Sequence, residues 1–216
     1  PPRSTLFPYT TLFRSLVKPM QFQFDKRKME KALLLIFLGV SLRIALYNYP
    51  NIEPILPLAL LAGFILGGWY SLWVPLVMMS LSDIAFYGLG LSSFLGWKVI
   101  LGVTFFTWSG MMMAGCMGKA LRPRMLMRMK NMAVFTGVGI VMVLIFDAWT
   151  MIGWWLISGR SFELVLGGQV TFTIYHILST LIFVPLFGTG YIYIKEYGMP
   201  ILTDWKTDSK NPGDEV

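Results

Sequence analysis

A chain of 216 residues in which 56% are hydrophobic and only 13% charged cannot fold its apolar surface into one water-soluble core, and a mean hydropathy of +0.64 places it in a bilayer. The net charge of +7 does not signal nucleic acid, because the basic residues sit in short loops that flank apolar runs, where the positive-inside rule accounts for them. One cysteine, Cys116, rules out an intramolecular disulfide and a cysteine-rich metal site, and its apolar setting suggests simple packing.

Residues 1–15 (PPRSTLFPYTTLFRS) resemble a translated sequencing-library adapter and are set aside, with Met20 or Met29 as candidate native starts. No basic stretch followed by a short apolar run and a small-residue cleavage site reads as a signal peptide. Residues 16–31 form a cationic lead-in with Lys26, Arg27, Lys28 and Lys31, expected to stay in the cytoplasm. From there to residue 194 the pattern predicts an all-α integral membrane domain of about six transmembrane helices, with both termini cytoplasmic.

The first helix is expected over 32–47, ending where Pro50 and Pro54 bracket a turn. The second, over 55–67, places Ala59, Gly63 and Gly67 on one face for close helix approach. The third, over 69–89, opens on interfacial aromatics and contains Pro75, where a kink is expected. A link rich in Gly and Ser (Gly88, Gly90, Ser92, Ser93, Gly96) leads into the fourth, over 97–118, which repeats the small-residue spacing at Gly110, Ala114 and Gly118. The following segment carries Lys119, Arg122, Arg124, Arg128 and Lys130 without an acid, and should face anionic lipid or a cytoplasmic partner. The fifth and sixth helices are expected over 131–157 and 164–194, and residues 195–216 read as a disordered tail.

With six spans, the cations at positions 26, 27, 28, 31, 119, 122, 124, 128, 130 and 195 all fall inside, and only Lys98 and Arg160 fall outside. On that topology Arg43, Asn51, Glu53, Asp83, Asp147, Gln169 and His176 gather in the outer half, while the inner half is almost bare of polar side chains. Asp83 would lie ~9 Å and Asp147 ~15 Å below the outer ends of their helices. A charge at such depth costs at least ~2.5–3.5 kcal/mol on insertion scales, so these groups are expected to pair or to line a watery site. Arg43 and Glu53 read equally as a structural pair. His176 reads as a core histidine or a ligand contact, and Trp149, Trp154 and Trp155 as interface anchors or a stacking surface. The run Met111–Met113 reads as packing.

No G-x-S-x-G turn, HExxH pair or P-loop is present, so no catalytic residue, metal or cofactor is assigned and the chain is expected not to be an enzyme. The stretch NIEPILPLALLAGFILG from Asn51, the Ser82–Asp83 pair and TFTIYH at 171–176 together resemble the substrate-binding S components of energy-coupling factor (ECF) transporters. The resemblance covers about residues 32–194. It implies capture of a small vitamin-like or heterocyclic nutrient near the outer face of a prokaryotic cytoplasmic membrane, with a coupling membrane subunit and ATPases in trans. Arg43, Asn51, Glu53, Asp83, Asp147, Trp149, Gln169 and His176 are the implied binding residues. Members carry an A-x-x-x-A docking pattern on the first helix, and here only Ser41 and Ala45 correspond. The alternative is a membrane scaffold that docks a cytoplasmic partner through the basic loop 119–130, with Arg122, Arg124 and Arg128.

Overall fold

The computed structural model describes residues 25–49, 52–88 and 96–197. Among these, the chain forms six α-helices, one 3-10 turn at Met129–Asn131 and no strand. The helices are α1 (Lys26–Ala45), α2 (Ile55–Leu66), α3 (Tyr70–Gly88), α4 (Trp97–Leu121), α5 (Met132–Ser158) and α6 (Phe162–Tyr197). The expected link residues Gly90, Ser92 and Ser93, along with Pro50 and the segments 1–24 and 198–216, lie outside the described residues.

α1 starts six residues earlier than its apolar run. The Asp25 side chain caps it, accepting from the backbone N–H groups of Arg27 at 3.1 Å and Lys28 at 3.2 Å. The Lys28 N–H is the main reason that the Asp25 carboxyl sits below its ordinary range. Lys, Arg, Met and Glu are straight-chain helix formers, so the cationic lead-in is helical as well as basic. Helix α6 runs to Tyr197, three residues past its expected end at residue 194.

α2 is the axle of the bundle. Its sequence ILPLALLAGFIL offers no polar side chain, all twelve residues are buried, and α1, α3, α4, α5 and α6 all pack against it. Pro57 falls in its first turn, where a backbone N–H would have no helical partner anyway. The helix stops at Gly67 and Gly68, whose φ angles of +61° and +54° favour glycine. Arg122, reaching across from the end of α4, donates from Nη1 to the Leu66 carbonyl at 3.2 Å and places a cation at the α2 C-terminus.

The small residues foreseen on α2 and α4 do bring backbones together. A Cβ on Gly118 would stand 1.9 Å from the Leu60 carbonyl oxygen, and one on Gly63 would stand 1.8 Å from that of Gly115. Gly115 in turn abuts the Ser71 carbonyl of α3. That carbonyl is four residues before Pro75, which has no N–H to offer it. The Gly110 face turns instead to the Phe146 ring of α5, so the spacing Gly110–Ala114–Gly118 serves two neighbours rather than one.

Four segments are long and apolar enough to cross a membrane: α3, α4, Met129–Ser158 and α6. Phe37, Ile84, Phe105 and Ile182 are each more than 60% exposed on the outer faces, as lipid-facing side chains would be. α2, at about 18 Å, is shorter than the hydrocarbon core of about 30 Å, and α1 carries charges in its first turns and at Arg43. Cys116, expected to be packed, is exposed on α4.

Candidate functional site

At the end of the bundle where α1, α3 and α5 finish and α2, α4 and α6 begin, two polar clusters face a shared cavity of about 330 Å³.

The first cluster centres on Arg43, in the last turn of α1. Its Nη1 donates to Asp83 Oδ1 at 2.7 Å and to Ser82 Oγ at 2.5 Å, and its Nε stands 3.6 Å from Glu53 Oε2. The second Asp83 oxygen accepts from Trp108 Nε1 of α4 at 2.7 Å. Both oxygens of a carboxylate set within an apolar helix therefore have charged or N–H partners, which is what makes its burial tolerable. Glu53 has two further anchors. Its Oε1 accepts from the Ile55 N–H at 2.9 Å, helping to start α2, and its backbone N–H donates to Ser179 Oγ of α6 at 3.1 Å.

The second cluster is a pair. His176 Nδ1 and Asp147 Oδ1 are 2.8 Å apart, with the imidazole fully buried and the carboxylate nearly so. The Phe146 and Phe172 rings meet the imidazole edge-on, at 5.5 and 5.6 Å between centroids. Asp147 Oδ2 and His176 Nε2 have no hydrogen-bond partner among the described residues.

Five helices and the turn before α2 wall the cavity. Arg43, Glu53, Thr107, Thr150, Gln169 and His176 supply the polar surface, and Phe106, Phe146, Trp154 and Phe172 the aromatic one. Of the sequence candidates, Arg43, Glu53, Gln169 and His176 thus share the wall. Asp83 and Asp147 stand behind it, each holding a wall residue in place. Trp149 is elsewhere: its Nε1 donates to Ser109 Oγ at 2.8 Å and its ring packs on Phe106, while Trp154 occupies the wall. Asn51 lies outside the described residues. Ser41 and Ala45 are on an exposed face of α1. Of the basic-loop candidates, Arg122 is engaged with α2 and Arg124 with the Ala120 carbonyl, and Arg128 is exposed.

Trp108, Phe106 and Thr107 escape the reading from sequence, and Phe172 enters it only as part of TFTIYH. For Trp108 a signal existed. Tryptophan favours the ends of membrane helices, and one near the middle of an apolar helix needs a buried acceptor for its indole N–H. No group of three or more His, Cys, Asp or Glu side chains comes together among the described residues.

Fold and site define a class: a helical bundle suited to a membrane, with a polar and aromatic cavity near one end. The chain belongs to the DUF6580 family, a family of unknown function, which it matches over residues 24–202. No curated protein and no solved structure matches it.

Proposed function

We propose that the protein is a substrate-capture subunit of a multi-component importer of the ECF type, without chemistry of its own. It would cross the cytoplasmic membrane six times with both termini inside, and take a small nutrient into the cavity from the outer side. The observation that carries this reading is the cavity itself. Four ionisable residues from α1, α3, α5 and α6, with Glu53 from the turn before α2, are gathered at one end of an otherwise apolar bundle. Such groups are costly in a membrane unless they face protein, water or a ligand. A cavity of about 330 Å³ is at the small end of the range for ligand pockets, which suits a molecule of one or two rings. Energy for uptake would come from coupling and ATPase subunits in trans.

The test is mass spectrometry of small molecules released from the detergent-purified full chain. Wild-type protein should release one enriched compound, and His176→Phe, folded and membrane-inserted, should release at least ~10-fold less, the equivalent of one lost buried hydrogen bond. Equal recovery from both would remove the site assignment. A scaffold role is favoured by one feature, the exposed cations Lys119 in the last turn of α4 and Arg128 and Lys130 between α4 and α5. Stable co-purification of a non-transport complex through that loop, with nothing released from the cavity, would support it instead.

A further inference from the structure

We infer that the cavity takes a planar ring, neutral or carrying a single positive charge, which forms a hydrogen bond with His176, and that it rejects anions. This rests on reading the cavity as a capture site, and it names the chemistry of what is captured.

The charge count comes first. Arg43 is the one cation in the wall, and two carboxylates already claim it: Asp83 at 2.7 Å and Glu53 at 3.6 Å. The three together carry a net charge of −1. With the Arg43 and Glu53 side chains less than a fifth exposed, a second anion beside them meets a negative field that water screens only in part, whereas a cation or a neutral dipole does not. An arginine in a binding cavity ordinarily suggests a carboxylate or phosphate ligand, and here its partners have reversed that expectation.

His176 supplies a hydrogen bond that the wall leaves open. Its Nδ1 is paired with Asp147 Oδ1 at 2.8 Å, and its Nε2 has no partner among the described residues. His176 is part of the cavity wall, so Nε2 is the ring nitrogen left to bond a ligand. A carbamoyl group, with both an acceptor oxygen and donor N–H groups, meets it in either tautomer.

The shape comes from Phe106, Phe172 and Trp154, three aromatic rings from three helices around a space of about 330 Å³. Aromatic faces favour a flat partner, and a cationic ring gains further from their quadrupoles.

The experiment uses one ring in three charge states. Quenching of tryptophan fluorescence in the solubilised full chain is titrated with nicotinamide (neutral), 1-methylnicotinamide (cation) and nicotinate (anion). The neutral or cationic probe should bind at least ~10-fold more tightly than nicotinate. Glu53→Gln should narrow that ratio, and His176→Phe should weaken the carbamoyl probes without restoring nicotinate. Nicotinate binding as well as or better than the others overturns the charge inference and leaves capture standing. Binding of no probe at millimolar concentration, while wild-type protein still releases a compound, overturns the ligand class alone. Binding of none with nothing released overturns both readings.

Discussion

Arg43→Met is expected to lower the stability of the solubilised protein by about 3–5 kcal/mol, as removal of one member of a buried ion pair does. The side chain is only 18% exposed and the Asp83 side chain 13%, so water takes over only part of the role of the guanidinium. Once it is gone, Asp83 keeps Trp108 on one oxygen but faces Glu53 with no cation between them, and the tie from α1 to α3 is lost with it. A second change discriminates this account from simple loss of packing. Arg43→Met combined with Asp83→Asn removes the stranded charge and should recover part of the loss. Thermal unfolding of the two variants in the same detergent checks this, and no recovery in the double variant would mean that the ion pair is not what joins α1 to α3.

Gly118→Ala is the other substitution expected to act strongly. Overpacking ordinarily costs about 1–3 kcal/mol because side chains shift to make room. Here the added methyl would meet the Leu60 carbonyl oxygen and the Phe64 backbone nitrogen, which belong to the fully buried α2 and have nowhere to move without displacing the helix. A loss at or above the upper end of that range is expected. Gly137→Ala serves as the control: nothing lies within 4 Å of the Cβ it would add to α5, so it should be neutral or slightly stabilising through helix propensity. Similar unfolding temperatures for the two variants would contradict the close approach of α2 and α4.

Much of the helical layout was legible because glycine, proline and apolar run length act locally. The Gly67–Gly68 stop, the Pro54 entry to α2 and the limits of α3 and α5 all fall within a residue or two of where the sequence suggests. The start of α1 is not, because the charge of its Lys- and Arg-rich first turns hides their helix propensity. The polar residues were legible as a set, since depth along a helix is simple arithmetic. Their partners were not, because these depend on how each helix is turned about its axis. That is why Asp83 and Asp147 prove to be supports for Arg43 and His176 rather than wall residues. Some of that rotation was available all the same. Asp147, Thr150 and Trp154 recur at helical spacing and share one face, whereas Trp149 is five residues before Trp154 and so about 140° away around the helix. Gln169, Phe172, His176 and Ser179 repeat the same spacing on α6, ending in the hydroxyl that holds Glu53.

The presence of only one cysteine makes the central claim directly accessible. With Cys116→Ser removing the exposed native thiol, Thr107→Cys puts a thiol into the cavity wall and Lys130→Cys puts one into the basic loop. In intact cells, a membrane-impermeant maleimide should label the cavity cysteine and not the loop cysteine. Labelling of the loop alone, or of the cavity only after the membrane is opened, would mean that the chamber does not face outward.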